Sequence, residues 1–284
     1  MNPNLLISVV VTTYNRSRSL IQVLYALQRQ TDTHFEIVIA DDGSTQDHQI
    51  ATREALGSFA VDLKHVWHPD IGFTASRVRN RGVSVASGDY IVFLDGDCVP
   101  EVDFVAQHRR LMEIGCLVNG SRVLLSRQFT NCVESVQCNP INRSFWYWLQ
   151  RKVQGDASKL TGRFRLPDFS LRRSRGFRWS GIRSCNMGVW RSDFEAVNGF
   201  DESFVGWGHE DADFVLRLHN NGVVRKNGFW ATEVYHLWHS ESSRLREGKN
   251  AQTVRDRMLS GTVLPESGYA QSKDGLDMVV TVWN

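Results

Sequence analysis

Three nearly continuous apolar runs, each cut off by polar residues, constrain this chain more than any other feature. Residues 5–11, 35–40 and 90–94 carry β-branched and aromatic side chains with almost no alternation of polar and apolar. Runs of that kind are strands buried on both faces, the condition of a parallel sheet packed between helices. The intervening segments switch to helical spacing. Leu20, Val23, Leu24 and Leu27 follow the first run, residues 46–56 follow the second, and residues 74–86 precede the third. Strand, polar loop and helix in succession imply right-handed parallel crossovers, so the first 115 residues read as a doubly wound α/β half. Shorter strands are expected at 61–67, 117–125 and 230–235. Ser17 stands where an N-cap would, and Pro100 where the first turn of a helix over 101–114 would begin.

Ligands of open α/β sheets gather beyond the carboxyl ends of the strands. At those ends this chain places Thr12, Thr13 and Tyr14, then Asp41, Asp42, Gly43 and Ser44, then Asp95, Gly96 and Asp97. Two carboxylates separated by a glycine that permits close approach call for a cation. Their hard oxygens suit Mg²⁺ or Mn²⁺, above all when substrate phosphates complete the shell.

At 284 residues and 42% hydrophobic composition the chain can bury a large core. Its five cysteines are odd in number and lack zinc-type pairs, which predicts reduced thiols in a cytosolic compartment and no disulfide. The start, Met1-Asn2-Pro3-Asn4, has no basic region, and the first apolar run is too short for a signal peptide or a membrane span. Net charge is only +2, yet between residues 141 and 191 twelve arginines and lysines, Arg163 and Arg175 among them, face only Asp156 and Asp168. Such a block is a candidate surface for anionic partners. Periodicity fails over 126–181, where the aromatic cluster Phe145-Trp146-Tyr147-Trp148 precedes the basic run. That stretch reads either as a locally packed insertion with a solvated rim or as a surface facing an acceptor or a membrane.

Order returns near Cys185. A glycine-rich loop over 204–211 opens a helix over 211–220, which Asn221-Gly222 ends. Asp213 and Arg217, four apart, are expected to pair on its outer face, and the positive helix end should favour ionised Glu210 and Asp211. His236-Leu237-Trp238-His239 follows the last expected strand, and the tail offers a polar helix near 251–259 and an apolar stretch at 278–283.

Four motifs, Thr12-Thr13-Tyr14-Asn15, Asp41-Asp42-Gly43-Ser44, Asp95-Gly96-Asp97 and Trp207-Gly208-His209-Glu210-Asp211, stand in the order found in inverting family-2 glycosyltransferases of the GT-A fold, which this chain resembles. Asn198-Gly199-Phe200, the loop at 206–211 and a histidine segment ending in His239-Ser240 are similar to the C-terminal part of β-1,4-galactosyltransferases. The resemblance covers residues 5–125 and 182–242, not the basic insertion or the tail.

The resemblance implies a role for each matching position. Thr12, Tyr14 and Asp42 would hold the uracil and ribose of a UDP-sugar, with Asp95 on the ribose side and Arg77 and Arg79 near the diphosphate or sugar. Asp97 and His239 would ligate Mn²⁺ or Mg²⁺. His236 would be a further ligand, where vertebrate galactosyltransferases have methionine. Trp207 would pack against the sugars, Glu210 would bind an acceptor hydroxyl, and Asp211 would remove its proton.

The implied reaction moves a hexose or N-acetylhexosamine, galactose-type favoured, to a glycan or glycolipid hydroxyl as a β-glycoside. Residues 1–115 would form the nucleotide-sugar half and 116–242 the acceptor and catalytic half, with a basic insertion at 126–181 and a tail at 243–284, all in one continuous domain. A cytoplasmic enzyme, with peripheral contact at the inner face of the membrane and no nucleic-acid partner, is the corresponding expectation. Sugar nucleotidyl transfer is a rival, but it wants a glycine-rich phosphate loop after the first strand, which residues 12–17 do not provide. A non-catalytic carbohydrate binder is another, against which intact Asp97, Asp211 and His239 argue.

Overall fold

In the computed structural model, which describes residues 5–162, 164–174, 176–240 and 247–283, the three apolar runs become neighbouring parallel strands. Arg163, Arg175 and the start at residues 1–4 lie outside the described residues. The strands are β1 (Ile7–Thr13), β2 (Phe35–Asp41), β3 (Leu63–Trp67), β4 (Tyr90–Asp95), β5 (Cys98–Pro100), β6 (Cys116–Asn119), β7 (Ser121–Leu124), β8 (Asn186–Trp190), β9 (Val224–Asn227), β10 (Glu233–His236) and β11 (Val279–Val282). Helices α1 (Ser17–Leu27), α2 (Gln46–Ala55), α3 (Ala75–Val85), α4 (Phe104–Leu111), α5 (Arg127–Glu134), α6 (Phe145–Val153), α7 (Arg191–Ala196), α8 (Glu210–Asn220), α9 (Glu247–Ser260) and α10 (Tyr269–Ser272) connect or flank them. Eight strands form one sheet in the order β11-β3-β2-β1-β4-β8-β6-β9, and β5-β10-β7 form a second. The expected α/β architecture with a mostly parallel central sheet is therefore present.

The apolar runs are continuous because both faces of the sheet are covered. Val9 and Val11 of β1 join one core together with Leu20, Val23, Leu24 and Leu27 of α1, while Val10 joins the other with Val78 of α3 and Phe214 of α8. Gly82 lets α3 press onto the sheet, since a Cβ there would come within 2.5 Å of Val10 Cγ1. The register sets Thr12 beside Asp95 and Thr13 beside Asp41, so the polar strand ends are flush along one edge.

Several local expectations need correction. Ser17 is the first helical residue rather than the cap, its hydroxyl drawn 3.1 Å from His48 Nδ1. Pro100 lies in β5 because that segment pairs with β10, and the helix begins only at Phe104. The strand expected at 117–125 is divided at Gly120, and β10 starts at Glu233 because Trp230 turns the chain with φ +53°. Cys132 and Cys138 form a disulfide, contrary to the expectation of five reduced thiols. The reason is local: α5 ends there, and the following turn brings the Cys138 N–H onto the Cys132 carbonyl at 3.0 Å.

The pair Asp213 and Arg217 is not on an outer face but fully buried, because α9 covers that side of α8 and adds Arg257 to it. The tail is thus part of the body, with β11 extending the sheet beside β3.

The aperiodic stretch holds α5 and α6 and uses its bases to attach itself. Arg165 pairs with Asp103, Arg173 with Glu113 and Arg151 with Asp156, while buried Arg172 donates to four backbone carbonyls. Among the described residues, no helix is long and apolar enough to cross a membrane.

Candidate active site

The flush strand ends open on a cleft of about 300 Å³ whose walls include Asp95, Arg79, Arg122, Trp179, Arg183, Trp207, Glu210 and Asp211. Gly96 makes the approach of the β1 and β4 ends possible: its N–H donates to the Thr12 carbonyl at 2.7 Å, and a Cβ there would lie 2.8 Å from that oxygen. Asp95 accepts from the Thr12 hydroxyl at 2.9 Å and from Arg79 at 3.2 Å. The other arm of Arg79 reaches Glu210 at 3.4 Å, so one guanidinium ties the third strand end to the start of α8.

Two residues beyond Asp95, Asp97 meets the histidine segment through strand pairing. β5 runs antiparallel to β10 with His236 opposite Cys98, and the Leu237 N–H donates to the Asp97 carbonyl at 2.8 Å. The Asp97 carboxylate then lies 3.3 Å from His239 Nε2 and 3.7 Å from His236 Nε2. A carbonyl only accepts, so the His239 Nδ1 that lies 2.8 Å from the Ser240 carbonyl is a donor, and Nε2 is the ring nitrogen directed at the Asp97 carboxylate. Burial, helped by Arg122 and His239 and opposed by Asp97, holds His236 below the ordinary imidazole range, which keeps its ring neutral and able to ligate.

This mixed oxygen and nitrogen set fits a divalent cation. Cys98 belongs to the same cluster, but burial raises its thiol, which instead donates toward Asp97 at 3.6 Å. Arg16, which sequence reasoning did not single out, also donates to Asp97 at 2.8 Å and supplies positive charge there.

The loop before α8 turns on three positive φ values, Gly206 (+80°), Gly208 (+109°) and His209 (+71°). Such a backbone is held only by its surroundings. Here Trp179 Nε1 donates to His209 Nδ1 at 3.2 Å, and Asn250 of α9 donates to the Gly208 carbonyl at 2.9 Å. The result sets Trp207 and Asp211 on the cleft wall. Contrary to the expectation from the helix end, the Asp211 carboxyl is not held ionised: burial and the neighbouring Glu210 push it up to about 7, against the pull of Arg79 and the N–H groups of Ala212 and Ser184.

The donor-side residues are less uniformly placed. Asp42 accepts from the Thr74 N–H at 3.0 Å and from the Thr74 hydroxyl, with His68 Nε2 at 3.3 Å. Tyr14, half exposed, donates to Asp70 at 2.8 Å. Arg77 is not brought together with the others: it pairs at 2.9 Å with Asp277 of the tail, while Arg79, two residues on, faces the cleft. Arg16 could have been suspected from its place just after Asn15. Arg122, Trp179 and Arg183 gave no such signal, because they come from segments without a motif.

Comparison with known proteins agrees with the geometry. The family model described as Glycosyl transferase family 2 matches residues 8–194, running through the stretch where periodicity fails, and one described as the N-terminal domain of galactosyltransferase matches residues 172–240. Validoxylamine A glucosyltransferase of Streptomyces hygroscopicus subsp. jinggangensis is 32% identical over 234 residues, covering 77% of this chain and 52% of that protein. Chondroitin synthase of Pasteurella multocida is 30% identical over 243 residues, covering 78% of this chain and 24% of that protein. The chain thus spans about half the length, or less, of these relatives. The crystal structure of S. aureus TarS shares the fold, with a TM-score of 0.57 at 17% identity over 94% of this chain and 41% of that one.

Proposed function

The chain belongs to glycosyl transferase family 2, and we propose that it moves a hexose or N-acetylhexosamine, galactose-type in preference, from a UDP-sugar to a hydroxyl of a glycan or glycolipid. One observation carries the reading. Asp97 lies beside two imidazoles from a distant part of the chain, and Asp95, two residues earlier, shares Arg79 with Glu210, the neighbour of Asp211 on the cleft wall.

A sugar hydroxyl attacks well only as its proton leaves, and a base whose pKa lies near 7 is ionised in about half of the molecules at neutral pH and is basic enough to take that proton. Asp211 has this character. It would accept the acceptor's proton as the hydroxyl oxygen displaces UDP in line, inverting the anomeric carbon to a β-glycoside. Glu210, steadied by Arg79, would orient the acceptor hydroxyl, and Trp207 would offer the sugars a flat apolar face. Thr12, Tyr14, Asp42 and Asp95 would hold uracil and ribose at the donor end. Asp97, His236 and His239 would hold Mn²⁺ or Mg²⁺, which when bound offsets charge on the leaving diphosphate.

Residues 1–115 would serve mainly the donor and 116–242 the acceptor. A cytoplasmic enzyme working at the inner membrane face would use exposed Trp146, Phe164 and Leu171 beside the basic segment.

A screen of nucleotide sugars with candidate acceptors, scored by Mn²⁺-dependent UDP release, tests the reading. The first relative's name puts glucose beside galactose in that screen. Release of pyrophosphate would turn the assignment to nucleotidyl transfer. Equal protection against thermal unfolding by GDP and UDP would remove the uridine donor.

A further inference from the structure

Two arginines of the cleft wall stand outside its carboxylate pairs. Arg79 serves Asp95 and Glu210, but Arg122 and Arg183, on the same walls, have no carboxylate within ion-pair distance among the described residues. Arg122 has the Cys185 sulfur at 3.8 Å and longer-range pulls from Cys98 and Asp95. Close by, Lys159 donates to the Ser121 hydroxyl and lies within the field of both arginines, with Glu233 as the acid facing it. Burial first, against the pull of Glu233 and with smaller help from Arg183 and Arg122, holds its ammonium below the ordinary lysine range.

The backbone that presents Arg183 is fixed. The Asn119 amide donates to the Gly181 carbonyl at 2.9 Å, and its oxygen accepts from the Arg183 N–H at 3.4 Å. The next residue, Ser184, directs its N–H to Asp211. Arg183 is therefore one residue from the contact that holds the base, while Arg122, on β7 beside β10, also lies within the field of His236.

We infer that Arg183 and Arg122, backed by Lys159, form a subsite for an anionic group on the acceptor, a carboxylate or a phosphate carried close to the hydroxyl that Asp211 deprotonates. The inference rests on the transferase reading of the same cleft and narrows its acceptor to a negatively charged glycan. A guanidinium suits either anion through paired N–H donors, and a neutral sugar would leave two arginines of the cleft wall uncompensated.

The test measures binding by tryptophan emission, with UDP and Mn²⁺ present, of three probes: a disaccharide ending in glucuronic acid, its glucose-ended twin, and that twin phosphorylated at the 6-position. At least one anionic probe should bind about tenfold or more tightly than the neutral one, and the preferred anion identifies the source. Arg183→Gln should remove most of that preference while leaving the affinity for the neutral probe within about twofold, and Lys159→Gln should weaken it in the same sense but less. Equal binding of charged and neutral probes overturns the subsite, as does an Arg183→Gln variant that loosens UDP instead of the acceptor. If UDP fails to bind while the anionic preference and its loss in the variant persist, the donor assignment fails and the subsite stands.

Discussion

Helix α8 carries two aspartates two residues apart, and their surroundings are opposite. Asp213 is fully buried and receives Arg217 and Arg257 at 2.7 Å each. Arg257 extends its other arm to Asp201 at 2.6 Å, and Arg217 gives its remaining donors to the carbonyls of Val197 and Gly199. Asp211 has backbone N–H groups and a share of Arg79, which Asp95 and Glu210 already engage. Within one turn of helix, matched charge fastens the tail to the body, and under-matched charge faces the cleft. A carboxylate short of compensation, as Asp211 is, keeps a proton to exchange near neutrality.

The sharpest way to break this comparison is to remove the charge at each position. Asp211→Asn should lower the turnover of transfer by about 10² to 10⁴, with UDP affinity little changed and the melting temperature at neutral pH not lowered; a variant that keeps turnover and loses stability instead would invert the two roles. Arg257→Met should do the reverse, leaving two buried carboxylates with one arginine and costing about 3–5 kcal/mol in denaturant unfolding. A loss near zero would mean that the Asp213 cluster is solvated after all.

His239→Ala should raise the Mn²⁺ concentration giving half of the thermal protection by UDP about 10- to 100-fold, since the Asp97 set would lose the imidazole whose Nε2 lies 3.3 Å from it. An unchanged concentration would take His239 out of the cation site.

The smallest effect is in pH. Transfer should rise about tenfold per unit up to about pH 7 and then level, because the proton on Asp211 must leave before it can act as a base. The native carboxyl keeps its proton up to about 7, whereas the unfolded chain loses it near 4. The fold is therefore favoured at low pH and penalised as pH rises through that window, and Asp211→Asn should flatten this part of the stability curve. A rate profile flat from pH 5 to 8 would show that Asp211 is not the group being titrated.

The strand-end chemistry was legible along the chain. Continuous apolar runs reported a sheet covered on both faces, their abrupt ends located Thr12, Asp42, Asp95 and Asp97, and a glycine-rich loop before a helix located Glu210 and Asp211. Polar spacing did not reveal which face of α8 is covered. Asp213 and Arg217 carry the same i, i+4 signature whether solvent or α9 lies over them, and α9 starts only at Glu247, beyond the reach of any pattern within α8. The Cys132–Cys138 bridge was likewise hidden, because an odd count of cysteines says nothing about a turn that folds one back on another.

The order of the main elements, the polar edge of the sheet and the acids at that edge were determined by the sequence alone, since periodicity and strand-end composition are properties of neighbouring residues. Only the tertiary structure decided that Asp97 meets His236 and His239, that Arg79 faces the cleft while Arg77 faces the tail, and that Arg122 and Arg183 lack carboxylate partners among the described residues. Pairing between distant segments and the burial that shifts a carboxyl from about 4 to about 7 depend on what packs alongside, which no local pattern encodes.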